Sequence, residues 1–219
     1  MSVVVGIKQN GVVYMGCDSQ VTMGGTRTTL KNPNNYKIWK VRDVEDCCIM
    51  GSVGDLRDAC VVRTMNGLIS DYNLFKGHVS FDFVVNKIVP DIIDRLKEFN
   101  YIKNDKSSVF EGMDSSFLFS CKDMLFLIGS DGSVIEIDDC VAIGSGKNEA
   151  IGSLLSTDGE DPVQRIIKAI KASAANDIYV DYPIILIDTE TMEFRVITEK
   201  DEPRFLKPKK SKTIEERNI

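Results

Sequence analysis

Apolar residues dominate two short runs at the start of the chain, Val3–Ile7 and Val12–Met15, and a polar segment containing Asn10 and Gly11 separates them. Asn-Gly between β-branched runs is the strongest short signal for a two-strand hairpin. Both runs are almost continuously apolar, which is typical of strands that are covered on both faces. The chain is therefore predicted to begin with a buried β-hairpin.

Short apolar runs and amphipathic stretches alternate along the rest of the chain. Apolar residues at helical spacing predict helices over residues 54–69, 81–100, 148–155 and 161–174. Pro90 lies inside the second of these and predicts a kink or a break there. Further strands are predicted at residues 37–41, 47–53, 116–121, 124–128, 134–137, 140–143, 182–187 and 194–197.

Two blocks of strands thus alternate with two pairs of helices. This order fits an α+β fold, a four-layer αββα sandwich in which two sheets stack face to face and helices cover each outer face. Residues 1–200 are predicted to form this single domain. Residues 201–219 contain two prolines and a basic cluster with few apolar residues, so we expect a flexible, charged tail.

Composition excludes several classes of function. The hydrophobic fraction of 43% and the charged fraction of 27% are ordinary for a soluble globular protein. The net charge of −6 argues against nucleic acid as a partner. No apolar run approaches the roughly 18–20 residues that span a bilayer, and a secretory signal is absent, so we expect a cytoplasmic protein without membrane contact.

The cysteines and histidine limit the metal and nucleophile chemistry. The six cysteines form no CxxC pair and mostly lie inside apolar runs, so they are expected to be reduced and to act as small hydrophobes. With His78 as the single histidine, there is no cluster of metal-ligand spacing, and no metal or cofactor is expected. His78 lies in a loop, and nothing in its sequence position indicates that it belongs to a catalytic triad.

Ser2 offers a different kind of nucleophile. Removal of Met1 would leave a hydroxyl and a free α-amine on one residue, at the end of a buried strand. An N-terminal amine can act as the base for its own hydroxyl, and its reference pKa of about 7.7–8.0 is close to neutral pH. Met-Ser is also an ordinary start for a protein, so Ser2 alone does not establish a site.

Several segments taken together resemble proteasome β subunits and the HslV-type peptidases. They are residues 2–7, 10–22, 37–38, 49–55 and 142–146, and their order and spacing carry the resemblance. The resemblance covers about residues 2–187. It implies an N-terminal nucleophile hydrolase with an αββα fold, a peptide or protein substrate, and a homo-oligomer such as a ring that encloses a chamber.

The resemblance also implies catalytic roles for five residues. Ser2 falls where the family has its N-terminal threonine nucleophile, and serine lacks the methyl group that helps to fix the threonine rotamer. Asp18 and Lys37 match the acidic residue and the lysine beside the nucleophile. Gly51 matches the glycine whose backbone N–H faces the oxyanion. Ser145 matches the serine close to the N-terminal amine.

Three further positions follow from the same comparison. Thr22 falls where the family pairs the substrate backbone as an added strand, and Val21 would line the specificity pocket. Asp177 matches the acidic residue of a later Asp-x-x-Ser motif. The serine of that motif is replaced by Val180 here, which leaves the role of Asp177 open.

Three functions remain open at this point. The first is a peptidase that uses Ser2 after removal of Met1. The second is a catalytically inactive proteasome-like subunit that serves as an oligomeric scaffold. The third is an N-terminal nucleophile amidohydrolase that acts on small amides. An ATPase unfoldase partner is unknown, since no docking motif for one is evident in the sequence.

Overall fold

The computed structural model describes residues 2–42, 44, 47–69, 79–99 and 113–199. Met1, His78, Asn100 and the predicted tail at 201–219 therefore lie outside the described residues. The organisation of residues 1–200 as one domain stays a prediction. Within the described residues, no helix is both long enough and apolar enough to cross a membrane.

Twelve strands and five helices make up the described fold. The strands are β1 (Val3–Gln9), β2 (Val12–Cys17), β3 (Gln20–Met23), β4 (Thr26–Thr29), β5 (Ile38–Lys40), β6 (Cys48–Val53), β7 (Ser116–Cys121), β8 (Met124–Ile128), β9 (Val134–Glu136), β10 (Cys140–Gly144), β11 (Ile184–Asp188) and β12 (Arg195–Ile197). The helices are α1 (Leu56–Arg63), α2 (Phe81–Phe83), α3 (Val89–Glu98), α4 (Lys147–Ser156) and α5 (Pro162–Asn176).

Two five-stranded antiparallel sheets form the two central layers. The first sheet has the order β10-β1-β2-β11-β12, and the second has the order β5-β6-β7-β8-β9. Helices α4 and α5 pack on the first sheet, and α1 and α3 cover the second. This arrangement confirms the predicted four-layer αββα sandwich.

The N-terminal hairpin lies at the centre of the first sheet. Its turn places Asn10 at φ 54° and Gly11 at φ 76°, as the predicted Asn-Gly turn requires. Along β1, Val3 and Val5 face α4 and α5, whereas Val4 packs between the two sheets. Burial on both faces explains why the run is continuously apolar.

The second predicted helical region contains a π-helical turn. Residues Val84–Ile88 form this turn between α2 and α3, and Pro90 lies in the first turn of α3. Proline has no backbone N–H to donate, so the position of Pro90 at a helix start is the least costly one. The predicted kink or break at Pro90 is thus confirmed as a change in helix type.

The first predicted helix is shorter than the sequence indicated. It ends at Arg63 and not near Ile69, because the Thr64 hydroxyl donates to the Cys60 and Val61 carbonyls and caps the helix end. Gly67 then adopts φ 73°, a conformation that leaves the helical region. Ile69 is buried all the same, which is why its spacing resembled that of a helix.

The cysteines only partly follow the expectation of free, buried thiols. The register of β6 on β7 places Cys48 directly opposite Cys121, and a disulfide joins them. This pairing contradicts the expectation that both are reduced, since a contact across two strands leaves no local signal in the sequence. Burial raises the pKa of the Cys17 thiol to about 12, so Cys17 does act as a small hydrophobe.

Candidate active site

The candidate site is a cleft of about 280 Å³ at the N-terminal end of β1. Ser2, Lys37, Val21, Thr22 and Gly54 are among the residues that line it. Ser2 is only 7% exposed, because β1 is paired on both sides directly after it. The fold thus holds a nearly buried Ser2 among the residues that line the cleft.

Asp18 and Lys37 form a buried ion pair beside Ser2. The Lys37 ammonium donates to Asp18 Oδ1 over 2.7 Å and also to the backbone carbonyl of Gln20. Asp18 accepts two further hydrogen bonds of 3.0 Å, from the backbone N–H groups of Val3 and Gln20. Through its bond to Val3, the Asp18 carboxylate fixes the backbone directly after Ser2.

The electrostatics of this pair are costly for the fold. The Asp18 side chain is fully buried and that of Lys37 is 6% exposed. Burial raises the pKa of Asp18, while the Lys37 charge and the hydrogen bonds from Lys37, Val3 and Gln20 oppose that rise. Withdrawal of two charges from water costs several kcal/mol per ion. A buried pair of this kind therefore contributes little or nothing to the net stability of the fold.

Ser145 holds the backbone of Ser2 from the other side. Its hydroxyl accepts a 3.0 Å hydrogen bond from the Ser2 nitrogen and donates over 3.3 Å to the Ser2 carbonyl. Gly144 has φ +105°, and a Cβ there would lie 2.0 Å from the Ser2 carbonyl oxygen. Glycine is therefore required before Ser145. The Gly144-Ser145-Gly146 turn packs directly against the backbone of Ser2.

Ser173 supports this turn and was not identified from the sequence. Its hydroxyl donates to the Gly146 carbonyl over 2.7 Å, and its side chain is fully buried. On α5 it falls on the same buried stripe as Ile166 and Ile170. A lone hydroxyl on an apolar helix face needs a partner, so its position was the signal that could have identified it.

The structure does not bring Gly51 to the cleft. Gly51 lies inside β6 and pairs with Ile38 on one side and Leu118 on the other. A Cβ at this position would lie 2.9 Å from Val4 Cγ1 and 3.0 Å from Met15 Sδ. Its place between the two sheets leaves no room for a side chain, and Gly51 is not among the residues that line the cleft. Its role as the oxyanion donor stays a prediction.

Gly54 is a second glycine in the segment for which the sequence predicts the oxyanion donor. It lines the cleft, follows the last residue of β6 and has φ +120°, a conformation that side chains rarely adopt. Both glycines belong to the short segment Gly51-Ser-Val-Gly54. Of the two, Gly54 lines the cleft and Gly51 lies between the sheets.

The packing around Gly51 predicts that Gly51→Ala damages stability, and we expect it to leave catalysis intact. The added methyl overpacks the space between the sheets, and we expect a loss of about 1–3 kcal/mol in the free energy of unfolding. Turnover per folded molecule should stay at the wild-type level. Urea unfolding and peptide turnover, measured on the same sample, check both expectations.

Gly152→Ala is the matched control for this substitution. Gly152 lies in α4, and no atom lies within 4 Å of a Cβ built there. Alanine at this position should stabilise the protein by about 0.4–1 kcal/mol. A Gly51→Ala protein with unchanged stability and abolished turnover would support Gly51 as the oxyanion donor.

Val21 and Thr22 lie on one wall of the cleft. They belong to β3, which pairs only with β4 in the described part of the chain. The Thr22 hydroxyl accepts a 3.2 Å hydrogen bond from Gln20 Nε2, and the same nitrogen donates to the Ile178 carbonyl over 2.8 Å. The cleft-side edge of β3 is thus held in place by its neighbours.

Asp177 is not among the residues that line the cleft. It caps the end of α5, where its backbone N–H donates to the Ser173 carbonyl and its Oδ1 accepts from Tyr179 over 2.9 Å. Val180, which replaces the expected serine, is buried and packs close to Gly146. Contact between Asp177 and the site therefore runs through Ser173 and the Gly146 turn.

One group of three side chains could in principle hold a metal among the described residues. The sulfur atoms of Cys47, Cys48 and Cys121 lie within 4.8 Å of one another. They are buried in the core between the second sheet and its helices, and two of them form the disulfide. None of the three lines the cleft.

Comparison with known proteins extends over most of the chain. A family model described as "Proteasome subunit" matches residues 2–185. The ATP-dependent protease subunit HslV of Petrotoga mobilis is 28% identical over 194 residues, which cover 87% of this chain and 94% of that relative.

Solved structures show the same fold at low sequence identity. Thiobacillus denitrificans BPH has a TM-score of 0.65 and 18% identity, with 90% of this chain and 99% of that chain covered. Eukaryotic HslV from Trypanosoma brucei has a TM-score of 0.59 and 19% identity, with 85% of this chain and 98% of that chain covered.

Proposed function

Because the chain belongs to the proteasome subunit family, we propose that it is a peptidase whose nucleophile is Ser2, exposed by removal of Met1. Members of this family are N-terminal nucleophile hydrolases. The observation that carries the proposal is the buried Lys37–Asp18 ion pair beside Ser2, which lines the cleft. A fold that needed only a scaffold could fill this place with apolar side chains at no loss of stability.

In the proposed reaction, the Ser2 hydroxyl oxygen attacks the carbonyl carbon of the scissile peptide bond. The free α-amine of Ser2 accepts the hydroxyl proton and passes it to the leaving amine. The product of this step is an ester between the substrate acyl group and Ser2. Water, activated by the same amine, then hydrolyses the ester and restores the serine.

The neighbouring residues prepare Ser2 for this role. The Lys37 ammonium lowers the pKa of the amine and the hydroxyl through its positive charge, which favours the neutral amine as a base at neutral pH. Asp18 holds Lys37 and the Val3 N–H in place. The Ser145 hydroxyl, 3.0 Å from the Ser2 nitrogen, orients the amine.

We assign the oxyanion donor to the backbone N–H of Gly54. A tetrahedral intermediate needs a preorganised donor about 2.7–3.1 Å from its oxygen, and glycine lets the backbone approach the reacting carbon closely. Gly54 fits this role because it lines the same cleft as Ser2. Gly51 does not, because both of its sides are occupied by neighbouring strands.

The β3 edge supports a peptide as the substrate. An extended peptide can add to an open strand edge through backbone hydrogen bonds, with its side chains directed into adjacent pockets. Thr22 lies on such an edge, and Val21 lines the cleft beside it. This wall favours a peptide over a small amide, which has no extended backbone to pair.

We also propose that the chain works as an oligomer. The Petrotoga relative is described as a subunit of an ATP-dependent protease, which supports self-assembly and an ATPase partner for this chain as well. Phe81, Val85 and Phe99 are exposed apolar side chains on the helical region that covers the second sheet. A face of this kind is suited to contact with a neighbouring subunit.

A substrate comparison tests the proposal. Purified protein should release the fluorophore from blocked fluorogenic peptides and should leave small amides of the same leaving group intact. Hydrolysis of small amides alone would establish the amidohydrolase instead. An absence of turnover on both classes, in protein shown to have lost Met1, would favour the inactive scaffold.

A further inference from the structure

The backbone that carries Lys37 is held by its own sheet on one side only. Lys37 directly precedes β5, a short strand at the edge of the second sheet. Its carbonyl accepts a 2.9 Å hydrogen bond from the Ser52 N–H at the end of β6. The chain before it forms a short helical turn, Pro33–Asn35, which belongs to neither sheet. Segments with few backbone hydrogen bonds open readily, so the position of Lys37 depends on a further support.

Arg63 supplies this support from the last turn of α1. Its guanidinium donates to the backbone carbonyls of Asn34 and Tyr36. The Tyr36 carbonyl belongs to the peptide group that contains the Lys37 nitrogen. A guanidinium is a planar fork of N–H donors in fixed directions, so one side chain can hold two carbonyls at once. The peptide group directly before Lys37 is thus bound to α1.

Arg63 also contacts the chain on the other side of Lys37. Its Cζ lies 4.8 Å from the centroid of the Trp39 ring, and Trp39 is a buried residue of β5. At this distance the positive guanidinium is attracted to the face of the indole. A single side chain therefore joins the residues that precede and follow Lys37, and Arg63 and Lys37 line the same cleft.

The other contacts of Arg63 do not explain why an arginine is present. Arg63 forms no ion pair within the part of the chain that the structure describes, and its buried Nε has no hydrogen-bond partner there. Burial lowers the pKa of Arg63, although a guanidinium stays charged at neutral pH. Partial removal of this charge from water is costly, and an apolar side chain could cover the second sheet without that cost. The two backbone carbonyls are the contacts that require a forked donor.

We propose that Arg63 is a positioning residue that fixes the backbone of Lys37 and thereby keeps the Lys37 ammonium against Asp18, beside Ser2. This inference rests on the proposed function, in which the charge of Lys37 prepares the Ser2 amine. Arg63 acts through the Tyr36–Lys37 peptide group and not through contact with the substrate.

Arg63→Met with Arg57→Met as its control tests the proposal. Methionine keeps an unbranched apolar side chain and removes every donor. Arg63→Met should lower kcat about tenfold to a hundredfold, as small misplacements of catalytic groups do, with KM within about twofold of wild type. Arg57 is an exposed arginine of the same helix and does not line the cleft, so Arg57→Met should leave both constants unchanged. A higher KM with unchanged kcat would overturn the proposal, because Arg63 would then bind the substrate.

The pH profile separates positioning from a purely structural role. The base in the proposed reaction is the neutral Ser2 amine, so kcat/KM falls as the pH drops below the pKa of that amine. Displacement of Lys37 in Arg63→Met should let this pKa rise toward its reference value of about 7.7–8.0, which moves the acidic limb of the profile to higher pH. A loss of kcat with an unmoved limb, or one that only follows the melting temperature, would contradict the inference.

Arg63→Lys distinguishes the contact with two carbonyls from the positive charge. Lysine keeps the charge, but its ammonium is a single donor centre without the planar fork. This variant should therefore lose most of the kcat that Arg63→Met loses. Full turnover in Arg63→Lys would show that the charge alone is sufficient, and the positioning role would be wrong.

Hydrogen–deuterium exchange gives a readout that does not depend on activity. In Arg63→Met, the amides of Tyr36 and Ser52, which donate to the Pro33 and Lys37 carbonyls, should exchange faster than in wild type. In Arg57→Met they should not. Should the wild-type protein show no turnover, faster exchange would still support the anchoring of Lys37 while the proposed function failed. Unchanged exchange in Arg63→Met would refute the anchoring itself.

Discussion

Replacement of Ser2 by alanine is expected to reduce peptide turnover by at least about 10³-fold, because it removes the only atom that attacks the substrate. The α-amine, the Lys37–Asp18 pair and the Gly54 N–H would remain, and without a nucleophile they support only slow attack by water. The variant should fold as wild type does, since the Ser2 nitrogen and carbonyl make the contacts with Ser145. Initial rates with a fluorogenic peptide measure the effect.

Ser2→Thr is the matched control for this loss. Threonine keeps the hydroxyl and the amine and adds a methyl group that restricts χ1, so turnover should persist. Ser2→Ala protein that hydrolysed peptides as fast as wild type would exclude Ser2 as the nucleophile and favour the scaffold function. Loss of turnover in both variants would show that the hydroxyl at position 2 is not sufficient for turnover and that the size of the side chain there also matters.

Replacement of Lys37 by methionine should have the second largest effect, on stability and on turnover together. The Asp18 carboxylate would be left fully buried without its counter-charge, which typically costs about 3–5 kcal/mol in the free energy of unfolding. Turnover should fall because the amine of Ser2 loses the neighbouring positive charge that lowers its pKa. Urea unfolding and peptide turnover measure the two losses.

The double variant Lys37→Met/Asp18→Asn separates the two effects. Removal of both charges relieves the unpaired carboxylate, so most of the lost stability should return. Turnover should stay low, because the ammonium is still missing. If the double variant regained both stability and turnover, Lys37 would have a structural role only, and the proposed lowering of the amine pKa would be wrong.

Local patterns predicted those parts of the fold that local interactions determine. The sequence placed the strands at residues 116–121 and 124–128 where the structure has β7 and β8, because two apolar runs flank the polar Lys122-Asp123 turn. It missed β3 and β4 as strands. Thr26–Thr29 is polar throughout, so its pairing with β3 shows no apolar alternation. Arg27 pairs with Asp181, and Gln20 donates to the Ile178 carbonyl.

The residues of the candidate site could be predicted only where the order and spacing of the segments along the chain identified them. Four of the residues named from the sequence lie together in the fold: Ser2, Asp18, Lys37 and Ser145. Ser2 and Lys37 line the cleft, Asp18 pairs with Lys37, and Ser145 binds the Ser2 backbone. The sequence indicates Gly51 as the oxyanion donor, whereas Gly54 is the glycine of that segment that lines the cleft. Which glycine lines the cleft depends on strand pairing, which only the folded chain specifies.

Outside the segments that carry the family resemblance, long-range polar contacts left almost no signal in the sequence. The Ser115 hydroxyl accepts a hydrogen bond from the Asp55 N–H, and no spacing rule links the start of a helix to the start of a distant strand. The same is true of Cys48 and Cys121, which meet only through the register of β6 on β7. A lone serine on a buried helix stripe, as at Ser173, is the one such contact that had left a readable signal.

The central claim is that Ser2 acts with a free α-amine, and the intact mass of the active protein tests it most directly. Peptide-hydrolysing protein should have a mass lower than that of the full sequence by one methionine residue, and its first peptide should begin at Ser2. A preparation that retains Met1 should be inactive. Full turnover by protein in which Met1 is still attached would contradict the account, because the proposed base would then be tied up in a peptide bond.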